Sequence, residues 1–519
     1  MRDPMAMFSA AFALQAQGQY EPALAAYDEL LAHYHGTAQV HTNRGLALFE
    51  LGRFDEAITA YLAAIAADEN YSAVHYSLGL AFFAQRRFSE ALASFDRAIT
   101  CAPSADAYLS RGSAQMELFQ HDAALADYDA ALAINPQYAK ALMNKGSALY
   151  ELERLGDAQA CFEQALALNP HDHSTEWNLA LCLLRAGNLK AGWPYYERRL
   201  EGSLAEPPRR VHYGKPRWLG DAAGLAGLAG KTILLWPEQG HGDVMQFCRY
   251  AHELERVGAC VILEVYPPLL RLMQTAFAGT SIRVALDGAT DAAEFDVHSP
   301  LMSLPLIGGT DDLGKIPATL SSSPYLFADP KLAKPIQDKA LQRIAEGSSR
   351  AGLRVGLVWA GGHRPNQPID VKVDLARSLK LAQFAPLLAL SQTKAMQFVS
   401  LQAGEAAAQL ADLAPGLMEQ GLPSDLIDDA LDWADTAAVI AGLDLVISVD
   451  TAVAHLAAAM GKPTWILTRF SGCWRWLQGR SDSPWYPSVQ LFRQKERGDW
   501  AGVMQGVTAA LQARLMQNM

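Results

Sequence analysis

Small and apolar residues in the first two hundred positions recur with a period far longer than that of a single helix or strand. A glycine stands at 45, 79, 112 and 146, separated by 34, 33 and 34 residues. Ala57, Ala91, Ala124 and Ala158 keep the same spacing, as do the aromatics Tyr61, Phe95, Tyr128 and Phe162 and the alanines 64, 98, 131 and 165. Pro103, Pro136 and Pro170 each fall five residues after that last alanine. The pattern predicts pairs of amphipathic helices, with small residues where the two helices touch and a proline ending the second. Weaker copies precede the four (Ala23, Tyr27) and follow them (Trp177, Ala180, Gly192, Tyr196). Six units over 4–203 would wind into a right-handed superhelix with a concave groove.

Beyond 203 the pattern changes. Residues 204–230, with Pro207-Pro208 and a Gly/Ala run at 220–230, read as a linker. Short β-rich runs then alternate with helical stretches, at 232–236, 260–265 and 295–299, and after a polar break near 321–352 at 355–359, 397–401, 445–449 and 464–467. Strands separated by helices imply parallel sheets, and two such blocks imply two doubly wound lobes. The expected division is a repeat array over 1–203, a linker over 204–230, a first lobe over 231–330 and a second over 331–519. A final helix near 499–515 is expected to cross back to the first lobe.

Half of the 519 residues are hydrophobic and 19% are charged, so a large core is available and bulk disorder is excluded. The net charge of -12, with no basic run, argues against nucleic-acid binding. No 18-residue apolar run is present, and the first eight residues lack the continuous apolar stretch of a secretory leader. The six cysteines are scattered without a Cys-x-x-Cys pair, which fits reduced thiols. The expectation is a cytoplasmic protein.

Ligands of doubly wound folds bind beyond the carboxyl ends of the strands, which points to three loops. The first contains Gly240-His241-Gly242-Asp243. Its glycines let backbone approach a ligand. Asp243 reads either as a helix N-cap or as a carboxylate placed to take a proton from an acceptor hydroxyl. In the second, Gly361 and Gly362 are followed by Lys372, Arg377, Ser378 and Lys380, a glycine turn plus cations that suits a diphosphate. In the third, Asp450-Thr451-Ala452 opens a helix and His455 follows within about a turn. Those side chains either cap the helix and pack a buried histidine, or hold phosphate oxygens. Along the inner helices of the repeats, Asn43, Ser77, Ser110, Asn144 and Asn178 stand two residues before the small position. An amide there can bind peptide backbone in the groove, or be no more than an inner-face polar group.

The repeat period and pattern resemble the tetratricopeptide repeat. The Gly242-Asp243 loop, together with Asp450-Thr451-Ala452-Val453-Ala454-His455 and Gly461-Lys462-Pro463, resembles the ADP-heptose:lipopolysaccharide heptosyltransferase family. That resemblance covers most of 231–519. It implies the GT-B fold, two Rossmann-like lobes facing across a cleft, and an inverting, metal-free glycosyl transfer with no cofactor beyond the nucleotide-sugar co-substrate. It also implies Asp243 as catalytic base, and Asp450, Thr451, Ala452 and His455 as holders of the donor diphosphate, with Gly240, Gly242, Gly361, Lys372, Arg377 and Ser378 beside them.

The architecture is similar to that of protein O-GlcNAc transferases, whose asparagine ladder would fall on Asn43, Asn144 and Asn178. The serines at 77 and 110 interrupt it. A bacterial group that fuses repeats to this lobe pair is also similar. The expected partners are a nucleotide-sugar donor and a protein or peptide acceptor. The alternatives are a lipid-linked or polysaccharide acceptor, with the repeats recruiting another protein, or a non-catalytic scaffold. The segment around Trp474, Arg475 and Trp485 has no counterpart in the heptosyltransferases.

Overall fold

The computed structural model describes residues 3–34, 36–201, 214–220, 224–316, 324–331, 333–334, 352–362, 374–393, 396–412 and 432–518. They form two compact units, Met1–Leu179 and Ala180–Met519. The first is all helix, and the second carries two parallel sheets.

In the first unit, antiparallel helix pairs follow one another from Pro4–Ala16 to Leu155–Leu168. The repeating glycine is explained by contact. A Cβ built on Gly79 would lie 2.5 Å from the Phe95 ring, one on Gly112 2.7 Å from Tyr128, and one on Gly146 2.6 Å from Phe162. Gly45 meets Tyr61 in the same way. Each glycine therefore lets the aromatic of the second helix lie directly on the backbone of the first. The turn inside each pair passes through positive φ at Gly18, Gly52, Arg86, Phe119 and Glu153. Glycine fits that conformation without strain, and the three larger residues tolerate it. Consecutive repeats are tied by ion pairs such as Arg111 with Asp96 and Lys145 with Asp129, while Arg111 also binds Asp127 within its own pair. The Asp127/Asp129 pair is thus engaged in holding the array.

The unit boundary falls inside helix His173–Arg185, not at 203. The reason is packing. The helix Leu189–Tyr196 and the turn Glu197–Leu200, repeat-like in sequence, bury Trp193, Tyr196 and Arg199 in the core of the second unit. The Trp193 indole N–H donates to the Thr310 carbonyl at 2.7 Å.

The first sheet has the order β3-β2-β1-β4, with β1 Thr232–Trp236, β2 Cys260–Val265, β3 Arg283–Leu286 and β4 Val297–Pro300. The second has the order β6-β5-β7-β8-β9, with β5 Leu353–Val358, β6 Met396–Ser400, β7 Leu445–Val449, β8 Thr464–Thr468 and β9 Val489–Arg493. All of these strand pairs are parallel. The sequence pattern does not predict β3 and β9. Each lies at a sheet edge, and neither carries a continuous buried apolar run.

Part of the expected linker joins the first sheet, since Trp218 N–H donates to the His298 carbonyl at 2.8 Å. Tyr325 N–H already bonds Ala459 of the second lobe, ahead of the expected division at 330. The final helix, Trp500–Asn518, does not cross back. Its buried face (Trp500, Val503, Met504, Val507, Leu511) shares one core with Val355, Phe398 and Ile447 of the second lobe.

Replacing Gly112 by alanine forces the added methyl into the Tyr128 ring. The expected loss is about 1–3 kcal/mol, read as a lower urea midpoint for the helical signal of the full-length chain. An unchanged midpoint would remove this contact as the reason for the glycine.

Candidate active site

Both sheets have a topological switch point, where consecutive strands move to opposite sides, and ligands of open α/β sheets bind there. In the first sheet it lies between β1 and β4, so the loop after Trp236 opens onto it. In the second it lies between β5 and β7, so the loops after Val358 and Val449 meet there. These are the three loops singled out in the sequence.

The loop after β1 leads into helix His241–Phe247. Gly240 is the N-cap and Asp243 the third helical residue, whose Oδ2 accepts from the Gly240 N–H at 2.8 Å. Asp243 therefore bonds back to the backbone of the cap and is not the N-cap itself, and Gly240, lacking a side chain, makes no reciprocal bond. Gly242 faces the second lobe. A Cβ there would lie 2.8 Å from His455 Cδ2 and 3.4 Å from the Ala452 Cα. Only glycine lets helix His241–Phe247 lie so close to helix Ala452–Ala459. His241 Nδ1 accepts from the Trp433 indole N–H at 3.1 Å, a second contact between the lobes.

After β5 the chain is pinned by Gln402, whose Oε1 accepts from Trp359 N–H and Ala360 N–H at 3.0 and 2.9 Å. Gly361 N–H donates to Ser378 Oγ at 3.0 Å. The Arg377 guanidinium lies over Gly361, where a Cβ would come within 2.7 Å of it. Its Nη1 donates to the Asp450 carbonyl at 2.9 Å, and Nη2 pairs with Asp374. Its Nε is buried without a hydrogen-bond partner among the described residues. Gly361, Arg377, Ser378 and Asp450 thus form one cluster. Lys372 lies outside the described residues.

Thr451 is the N-cap of helix Ala452–Ala459, yet its hydroxyl makes no capping bond and pairs with Ser448 Oγ at 3.0 Å. The capping expected of Asp450 and Thr451 side chains is not what holds this turn. His455 is buried. Its ring stacks on Trp476 at 5.2 Å, Nδ1 bonds the Tyr486 hydroxyl at 2.9 Å, and Nε2 lies 3.9 Å from Asp450 Oδ1. Burial, aided by the nearby Arg475 charge, pushes its pKa down to about 3. That shift favours the uncharged imidazole in the ligand-free chain.

Arg475, which the sequence left unassigned, reaches across from the second lobe. Its Nη2 pairs with Asp243 Oδ1, its Nε donates to Gln246 Oε1 at 2.9 Å, and its guanidinium lies 4.4 Å over the Trp474 ring. Burial opposes its charge, and the Asp243 carboxylate, together with Cys473 and Tyr196, outweighs that effect and holds the guanidinium above its usual range. Trp474 and Trp485 are packed beside Phe247. Glu238, just ahead of the glycines of the first loop, is buried against Arg199, which donates to both of its oxygens at 2.7 and 2.9 Å. Neither residue carried a local signal, since an arginine ending a repeat and a glutamate after a strand are both commonplace.

Two of the three repeat asparagines bond serines of the neighbouring repeat. Asn144 Nδ2 donates to Ser113 Oγ at 3.2 Å, and Asn178 Nδ2 to Ser147 Oγ at 3.5 Å, each in the preceding repeat. Asn43 is buried. The amides help to stitch the array together.

His455 gives stability a pH dependence with a defined sign. The unfolded chain takes up this proton near pH 6.5 and the folded chain only near 3. Between those values the unfolded state binds more protons, so stability falls as pH is lowered through the window. His455→Gln is expected to flatten the decline in urea midpoint between pH 7 and 4. A decline as steep as wild type would show that His455 is not its source.

Comparison with known proteins agrees with the two-part architecture. Residues 9–72, 43–106, 76–139, 109–158 and 143–203 match the tetratricopeptide repeat, and residues 376–467 match glycosyltransferase family 9 (heptosyltransferase). Protein FlbA of Caulobacter vibrioides is 27% identical over 435 residues, 80% of this chain and 63% of that protein. The chain thus spans under two thirds of that relative's length. Solved structures similar to part of the chain include YrrB, titled a TPR protein with an unusual peptide-binding site. It has 17% identity and a TM-score of 0.31, and the match covers 34% of this chain and 91% of that one. The thermophilic TPR protein TTC0263 of Thermus thermophilus shares 22% identity with a TM-score of 0.30, over 35% of this chain and 100% of that one. The chain carries tetratricopeptide repeats followed by a glycosyltransferase family 9 (heptosyltransferase) domain.

Proposed function

We propose that this chain is an inverting, metal-independent glycosyltransferase that moves a sugar from a nucleotide-sugar donor to an acceptor hydroxyl, in the cytoplasm, on a protein bound by the repeats. One observation carries the reading. Helix His241–Phe247 meets helix Ala452–Ala459 at Gly242, so a carboxylate from one lobe's switch point stands beside the helix terminus of the other's, where Arg377 donates to the Asp450 carbonyl.

In this reading the donor diphosphate lies against Gly361, Ser378, Arg377 and the amino end of helix Ala452–Ala459. The unpartnered Nε of Arg377 and the helix-terminal N–H groups suit an anion. The same groups stabilise charge growing on the leaving nucleotide. Asp243 deprotonates the acceptor hydroxyl, which attacks the anomeric carbon from the face opposite the departing diphosphate. His455, neutral and buried, carries no charge to the phosphates and sets the floor of the pocket through Tyr486 and Trp476. A protein acceptor is favoured because a repeat array suits extended peptide. Asn144 and Asn178 each commit one amide hydrogen bond to a neighbouring serine and keep the amide oxygen for a peptide.

A metal-free thermal-shift screen against ADP, GDP, UDP, CMP and dTDP sugars tests the donor site. At a ligand concentration of about 100 Kd, a native-state ligand adds about 2.7 kcal/mol. The expectation is one clear responder whose shift is unaffected by EDTA. Asp243→Asn is expected to keep that shift and lower turnover by about 10²–10⁴-fold. Near-normal turnover would remove Asp243 from the base role, and no responder at all would favour a repeat scaffold.

A further inference from the structure

We infer that the last helical segment of repeat-like sequence, residues 189–200, is a positioning element of the catalytic centre, with Tyr196 and Arg199 as its working residues. The inference rests on the reading of Asp243 as the base. The segment reaches both halves of the Asp243–Arg475 pair. On the Asp243 side, Arg199 holds Glu238 through two hydrogen bonds and also binds Ser303 at 2.8 Å. The Tyr196 hydroxyl accepts from Gln239 Nε2 at 3.1 Å. Glu238 and Gln239 directly precede Gly240, the cap that Asp243 bonds. On the Arg475 side, the Trp474 ring packs edge-on to Trp193 and Tyr196, at 5.4 and 5.8 Å, and itself carries the Arg475 guanidinium.

Backbone strain marks the same two places. Outside the repeat turns, Gln239 (φ 60) and Leu477 (φ 54) are the only non-glycine residues with positive φ among the described residues. One lies four residues before Asp243, the other two after Arg475. Such conformations are strained and persist where the surroundings hold them. Gln239 is held by Tyr196 through its side chain and by the Tyr266 hydroxyl at its carbonyl. The turn before Leu477 is held by Arg493, which donates to the Trp476 and Leu477 carbonyls at 3.1 and 2.7 Å. Replacing a buried ion pair by apolar residues of similar volume commonly leaves a fold intact. Arg199 also pairs with Glu197 at 2.8 Å and Glu238 also accepts the Met302 N–H, so the melting temperature is read beside activity to separate any folding effect from the placement of the loop.

The test uses the full-length chain as Arg199→Met/Glu238→Met, Tyr196→Phe and Asp243→Asn. Readouts are melting temperature, hydrogen exchange over 237–247, and kcat and donor KM for whichever sugar nucleotide in the screen above responds. The double variant is expected to melt within a few degrees of wild type and to exchange faster over 237–243. Its kcat should fall at least tenfold with donor KM within about twofold, and Tyr196→Phe should show a smaller fall of the same kind. The exchange measurement needs no donor, so unchanged exchange in the double variant overturns the inference by itself. An inactive Asp243→Asn beside a fully active double variant sinks the positioning role alone. Wild-type turnover in Asp243→Asn removes the base reading and this inference with it.

Discussion

The catalytic unit depends on one steric constraint, the absence of a side chain at residue 242. Helices His241–Phe247 and Ala452–Ala459 approach so closely there that a methyl group would strike His455 and the backbone of Ala452. The approach of the proposed base to the second lobe follows from that contact. It brings Asp243 to the second lobe, sets Arg475 within reach of it, and leaves the His455 ring enclosed between Trp476 and Tyr486. Larger residues at this point would separate the lobes by a side-chain diameter, and a proton transfer that needs hydrogen-bond distance tolerates no such gap.

Around that contact the charges are arranged for position more than for stability. Asp243–Arg475 and Glu238–Arg199 are both buried or nearly so, and such pairs recover in mutual attraction little more than they lose in desolvation. Their value lies in direction. The two hydrogen bonds from Arg199 fix the plane of the Glu238 carboxylate, and with it the start of the loop that carries Asp243. His455 follows the opposite logic, because burial strips its charge and leaves a rigid, polar spacer. In the proposed reading, the donor diphosphate then depends on Arg377 and helix-terminal N–H groups for positive potential.

The repeat unit is built differently, with small residues in one helix receiving aromatics from the next and polar amides closed onto neighbouring serines. Asn144 and Asn178 read in the sequence as a ladder facing a peptide, because their spacing follows the repeat. Spacing reports which face a residue shares and says nothing of which partner its amide finds. Here the serines at 113 and 147, one repeat earlier, are that partner.

The sequence by itself determined the repeat period, the parallel character of both sheets and the three loops that lie at their switch points. Each of those follows from local rules: glycine and aromatic spacing, continuous apolar strands, and glycine at a strand's carboxyl end. The edge strands β3 and β9 were not legible, since neither is buried on both faces and neither carries an unbroken apolar run. The course of the final helix was equally hidden, because its apolar stripe fits either lobe. Tertiary structure alone decided that Trp193, Tyr196 and Arg199 belong to the catalytic unit, and that Arg475 pairs with a carboxylate 232 residues earlier in the chain. The physical reason is common to all of these. An ion pair or an aromatic contact is chosen by which surfaces remain to be buried once the sheets have formed, and that choice is made in space and leaves no period along the chain.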